Sequence, residues 1–178
     1  IEIYRQEFPD VEIEVRIVER KVDLKHEQID FALGARWGIL PSDTVAKSVC
    51  RTHYRLCASP AYLEKYGMPK DIHDLKNHLH IGHIGRSEKD FIQTNCGNVE
   101  TKTVICGDHI SFIKSCVLNG LGISKFYSYT VEKELQDGRL IEILPESFNQ
   151  DFDLYIYYQK NRFVQPKVRH LVKLFTDN

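Results

Sequence analysis

Four histidines, His73, His78, His80 and His83, fall within eleven positions, a spacing that invites a metal reading. On a strand His78 and His80 would face the same side, as two ligands of one ion must. No cysteine or carboxylate completes a recognisable ligand spacing beside them, so no metal is expected. The five cysteines (Cys50, Cys57, Cys96, Cys106 and Cys116) are odd in number and include no CxxC. That pattern favours a reducing compartment over a disulfide framework. A reactive thiolate needs an exposed, electropositive setting, whereas Cys116 shares an apolar helical stripe with Ile113 and Val117 and is expected to act as a small hydrophobe. No GxSxG, Walker A or HExxH motif occurs, and Gly34, Gly82, Gly85, Gly120 and Gly122 mark turns. These residues point to no enzyme and to no cofactor.

The groups are carried on 178 residues with a formal net charge of −1, 42% hydrophobic and 28% charged. That length supports one domain, or two small lobes, with a core of its own. The composition excludes disorder and a coiled coil. Near-neutral charge argues against this stretch itself gripping nucleic acid, which takes a clustered Lys/Arg excess. No apolar run reaches the ~20 residues that a membrane-spanning helix takes, so no membrane is expected. The sequence starts at Ile1 in the middle of a pattern and reads as a fragment of something longer.

Periodicity sets the elements that must position the polar groups. Ile1, Tyr4 and Phe8 share a helical face, and Pro9 stops that helix. Val11, Ile13, Val15 and Ile17 alternate with Glu12, Glu14 and Arg16, the pattern of a strand with one wet face. A short helix over 22–28 leads into an apolar strand over 29–33 that Gly34 breaks, and strands follow over 44–50 and 53–58. Ser59 and Pro60 open a helix that Gly67 closes. A helical turn over 71–77 precedes strands over 80–84 and 99–106. Asp108 is placed as the cap of a helix that carries Ile110, Ile113, Cys116 and Val117 and ends at Gly120. A strand over 122–126, a helix over 129–136 closed by Gly138, and strands over 140–144 and 153–158 come next. Pro166 opens a last helix with Val168, Leu171, Val172 and Phe175 on one stripe. Helices alternating with strands describe a mixed α/β fold.

Several phrases occur in a fixed order: FPDVEIEV, VDLKHEQIDFALGAR, YRLCASPAYLEKYGMPKDIHDLKNH, SCVLNGLGIS, VEKELQDGRLIEILP and LYIYYQKNRFVQPKVRHLVKLF. In that order and spacing the chain resembles the effector-binding domain of LysR-type transcriptional regulators over nearly its whole length. The resemblance implies a two-lobe, periplasmic-binding-protein-like (type 2) α/β fold with mixed sheets. Two crossover strands, 53–58 and 153–158, would join the lobes, and a small-molecule cleft would lie between them. Lobe I would comprise 1–58 with 155–178, and lobe II 59–154. By this resemblance the family's N-terminal helix-turn-helix, and the first strand of lobe I too, are expected to lie outside these 178 residues. His78 falls at a position of the family's DL..H phrase that is not metal-binding.

In α/β folds the crevice beyond the carboxyl ends of the strands is the default ligand position. The segments that would reach it are Gly34, Ala35 and Arg36 from lobe I, with Ile81, Gly82, His83, Asp108, His109, Ser124 and Lys125 from lobe II. Arg36 could hold a carboxylate bidentately, and the helix after Asp108 offers unpaired N–H groups. After its Gly-Ile pair the sequence reads SKFYSY, where the family continues with small or apolar residues and a proline. A lysine there would suit an anionic effector, although water is the expected direction of the Lys125 side chain.

The reading is therefore the ligand-sensing part of a cytoplasmic regulator, a homodimer or tetramer, acting on promoter DNA through its helix-turn-helix. The resemblance implies a side-by-side antiparallel dimer in which helix 1–8 and strand 11–17 meet the partner's helix after Asp108. A transporter's solute-binding protein shares the fold, but the five cysteines and the ASPAYL and ELQDGRL phrases argue against it. A third possibility is a regulator that senses oxidants through cysteines of lobe II, as some members of the family do.

Overall fold

The computed structural model describes every residue except 19, 36–37, 39, 87–89, 161–165 and 177–178. In chain order its elements begin with α1 (Glu2–Glu7), β1 (Phe31–Gly34), β2 (Thr44–Thr52), β3 (Tyr54–Ala58), α2 (Pro60–Tyr66) and β4 (Leu79–His83). There follow β5 (Phe91–Thr94), β6 (Gly97–Glu100), β7 (Lys102–Gly107), α3 (Ile110–Leu118), β8 (Ser124–Tyr127) and α4 (Ser128–Gln136). The chain closes with β9 (Ile141–Ile143), β10 (Phe152–Gln159) and α5 (Pro166–Thr176). It divides into two compact units, residues 1–51 with 152–178 and residues 52–151.

Unit 1 is a three-stranded sheet in the order β1-β10-β2, with β1 antiparallel to β10 from Phe31↔Tyr158 to Gly34↔Tyr155. Val22, Leu24 and Tyr157 form its buried centre, against Ile29, Ala32, Leu40, Ala46 and Tyr155. Leu171 and Val172 of α5 are buried, as the apolar stripe requires. Tyr4 of α1 is buried, with its ring stacked on Phe8 and tilted against His170 of α5.

Two sequence expectations fail in unit 1. Residues 11–17 form no strand; they run without regular structure, and Val15 and Ile17 are 64% and 73% exposed. Alternation allows a strand, but only a neighbour's backbone can satisfy its ladder, and no described residue supplies one. Residues 22–28 form a turn rather than a helix. Asp23 Oδ1 accepts the Lys25 and His26 N–H groups, and the turn then ends at Gln28, whose φ of 54° is left-handed.

Unit 2 holds a three-stranded antiparallel sheet in the order β8-β3-β9 and a parallel pair β4-β7, joined where Ile123 bridges His80. β3 shows why both faces of this layer are covered. Leu56 and Ala58 enter one core with Tyr62, Leu75, Ile92 and Ile123, while Cys57 enters the other with Ile81, Ile113, Val117 and Phe126. Burial pushes the Cys57 thiol up to about 12, which makes it inert. Ser59 caps α2 by accepting the Tyr62 N–H, and Gly67 ends it at φ 83°. Asp71 caps a single 3₁₀ turn, Ile72–Asn77.

The expected strand over 99–106 is two strands: the Thr101 N–H bonds the Asp90 carbonyl at the end of the β5–β6 pair, and from Lys102 the chain pairs with β4 as β7. The division between the units falls at 51/52, ahead of β3, which is bonded to β8 and β9 of unit 2.

Gly122 permits the join between β8 and β4. A Cβ there would lie 2.5 Å from the Leu79 carbonyl oxygen and 2.9 Å from Ile81 Cδ1. Gly122→Ala is expected to cost about 2 kcal/mol or more in urea denaturation, as overpacking against backbone does. A loss under roughly 0.5 kcal/mol, the scale of a surface change, would contradict this packing.

Candidate functional site

The parallel register of β4 and β7 pairs Gly82 with Cys106 and His83 with Gly107, so both strands end at one level. Beyond that level the chain runs through Asp108 and His109 into α3. A Cβ at Gly107 would lie 2.7 Å from the half-exposed Phe112 ring, so glycine lets that ring lie against the turn. Sequence reasoning placed the cap of α3 on Asp108, and the structure corrects it to His109. His109 is extended (φ −127°, ψ 124°), and its Nδ1 accepts the Ser111 N–H at 3.3 Å. The helix thus begins one residue later than the Asp108 reading requires, which leaves the Asp108 carboxylate exposed at the strand ends.

Five of the seven expected residues of this unit are buried: Ile81, Gly82, His83, Ser124 and Lys125. Ser124 is held by its own hydroxyl, which donates to the Ile81 carbonyl at 2.7 Å. Lys125 departs from the expectation that it points to water, being only 3% exposed. Its Nζ donates to the Gln93 carbonyl of β5 at 3.2 Å and lies 4.5 Å from the centroid of the Tyr54 ring of β3. Carbonyl and ring face both favour a cation, and they replace part of the hydration that burial removes. The ammonium is therefore fixed within the unit and acts on its surroundings through its charge.

In unit 1, Gly34 ends β1 opposite Tyr155, and the Ala35 carbonyl accepts the Tyr157 hydroxyl at 2.8 Å. Arg36 lies outside the described residues.

Two of the four histidines, His78 and His80, make side-chain hydrogen bonds inside the fold. His78 Nδ1 pairs with the Tyr62 hydroxyl at 3.2 Å, and that hydroxyl accepts the Leu79 N–H at 2.8 Å. His80 Nδ1 pairs with Thr103 Oγ1 at 3.0 Å and Thr101 Oγ1 at 3.4 Å. Among the described residues no three His, Cys, Asp or Glu side chains are grouped to hold a metal. Burial lowers both imidazoles, and for His80 burial together with Lys125 brings the value to about 4. The His80–threonine contacts and the Lys125–Tyr54 contact were not foreseen. The one available signal was that Lys125 falls two residues after the core residue Ile123 in a strand, hence on the same face.

The LysR substrate-binding domain profile matches residues 1–178. The chain belongs to this family. Among relatives of the LysR domain described here, an HTH-type transcriptional regulator of Haemophilus influenzae is 28% identical over 172 residues, 93% of this chain and 58% of its own length. The HTH-type transcriptional activator TtdR of Escherichia coli K12 is 25% identical over 171 residues, 93% of this chain and 54% of its own. The domain thus spans a little over half the length of the curated relatives it matches. Its fold is that of the regulatory domain of the LysR-type regulator CrgA from Neisseria meningitidis, with a TM-score of 0.85 at 20% identity over 99% of this chain and 88% of that one. The regulatory domain of AphB from Vibrio vulnificus gives 0.74 at 22% identity over 97% and 87%. The two-lobe, periplasmic-binding-protein-like α/β expectation holds.

The depressed His80 has a consequence for stability. Between its unfolded value near 6.5 and its folded value of about 4, the unfolded chain binds a proton that the folded chain refuses. Stability from this group is complete above roughly pH 6.5 and falls as pH drops toward 4, by at most about 3 kcal/mol. The decline between pH 7 and 4.5, measured by denaturant titration, is expected to be shallower in His80→Gln. Equal slopes in both proteins would contradict the assignment.

Proposed function

We propose that this LysR domain is the ligand-sensing part of a transcriptional regulator and that its effector is a small organic anion. The supporting observation is the meeting of the β4 and β7 ends with the start of α3, where backbone N–H groups and a positive helix end favour negative charge. Gly82 and His83 would line this floor, with Ile81 held in the core beneath, Asp108 and His109 at its rim and Ser124 fixing the strand. Lys125 would contribute its field from within, without touching the effector. The family reading also assigns Gly34, Ala35 and Arg36 to the effector. The effector would favour one arrangement of the lobes over another and so shift their populations.

In the complete protein a helix-turn-helix ahead of this domain would bind promoter DNA, as the naming of the curated relatives as HTH-type regulators suggests. The reading includes a cytoplasmic homodimer or tetramer, without a cofactor or enzymatic step. It also includes a further strand of lobe I. Among the described residues β1 pairs only with β10, while the strand-like alternation of 11–17 finds no ladder. A strand between these two would satisfy both.

A thermal-shift panel of matched organic acids, amines and sugars against the complete regulator tests the effector class. Stabilisation confined to the acids is expected, because ligand bound to the native state raises its apparent stability. A panel whose hits are amines or sugars would contradict it.

A further inference from the structure

A cavity of about 450 Å³ opens in unit 1, formed by the 21–26 turn, residues 41–44 at the start of β2, and Gln159 at the end of β10. None of the effector-site candidates lines it. Its floor is apolar: Val22 and Leu24 are both buried there, beside Pro41.

Lys21, Asp23, Lys25, His26 and Asp43 are the ionisable side chains on its wall, and Lys21 already has an interaction partner. Asp23 is already committed, with Oδ1 accepting the Lys25 and His26 N–H groups at 3.0 and 2.9 Å and Oδ2 lying 2.9 Å from His26 Nδ1. That carboxylate holds the turn and has little left for a ligand. Lys25 and Asp43 are different. Both line the cavity, and among the described residues neither the Lys25 ammonium nor the Asp43 carboxylate makes a hydrogen bond or ion pair. Asp43 uses only its main-chain carbonyl, which accepts the Lys160 N–H.

One wall therefore presents a cation and another an anion above an apolar floor, with Thr44 as a hydroxyl between β2 and the rim. We propose that this cavity binds a free α-amino acid with an apolar side chain. The ligand carboxylate would sit at Lys25, its ammonium at Asp43, and its side chain on Val22, Leu24 and Pro41. A plain carboxylate or a plain amine would forgo the charge-assisted bond to one of the two walls. The volume admits a residue as large as phenylalanine, together with water.

Three probes of one shape test this on the complete protein: L-phenylalanine, 3-phenylpropionate, which lacks the ammonium, and phenethylamine, which lacks the carboxylate. Methyl and amide NMR titration is expected to move Val22, Leu24 and Thr44, with L-phenylalanine binding about tenfold tighter than either analogue, the worth of one charge-assisted bond. Lys25→Met and Asp43→Asn are each expected to erase that preference. Both residues are exposed, so the thermal midpoint of each variant serves as the check that the fold is intact. Failure of all three probes to move these signals overturns the proposal, as does 3-phenylpropionate binding as tightly as L-phenylalanine. Shifts confined to unit 2 also overturn it, since they would place the amino acid at the effector site instead. Because the titration reads unit 1 signals directly, its failure leaves the anionic-effector reading standing.

Discussion

Ile123 exchanges two backbone hydrogen bonds with β4: its carbonyl accepts the Ile81 N–H at 2.9 Å and its own N–H donates to Leu79 at 2.8 Å. This short parallel contact joins the β8-β3-β9 sheet to the β4-β7 pair and makes one layer of unit 2. Only a glycine at 122 lets the backbone come so near Leu79. Everything assigned to the effector site in this unit rests on the layer, because β4 brings Ile81, Gly82 and His83 to the same level as Gly107, and β8 lays Ser124 and Lys125 alongside. The side chains are held by packing and hydrogen bonds within the layer before any ligand arrives, which is what a site needs to discriminate.

The same layer tolerates unusual polarity. A lysine and a histidine, 3% and 1% exposed, lie close enough for the ammonium to depress the imidazole. Burial of either would be costly without partners. The Gln93 carbonyl and Tyr54 ring serve Lys125, two threonine hydroxyls serve His80, and the imidazole stays neutral. A fixed positive charge beneath an apolar layer gives the unit an electrostatic bias that no mobile surface lysine could maintain.

Local chemistry was legible in the sequence and long-range pairing was not. Ser59, Pro60 and Gly67 bounded α2 correctly because caps act over a few residues. The last helix and the strand expected over 44–50, observed as Thr44–Thr52, were likewise readable from their own periodicity. The strand expected over 11–17 failed because its ladder depends on a neighbour distant in the chain. The 22–28 region failed because an Asp cap followed by Leu24 opens a single turn as readily as a helix. β5 escaped notice, being four residues long, and Thr101 hid the break between β6 and β7. The site residues came from the order of the family phrases. Their burial came only with the fold, and Lys125 changed from a solvent-facing charge to a buried one.

The domain combines a stiff α/β layer, a set of strand ends converging on the start of a helix, and a buried cation behind them. The proposed effector rests on those strand ends. Amide hydrogen exchange of the complete regulator, with and without the organic acid that stabilises it most, tests this directly. Binding is expected to slow exchange at residues 82–83 and 107–111 and to leave β5 and β6 unchanged, since a ligand protects the backbone it contacts or orders. Protection that skips 82–83 and 107–111 would contradict the account.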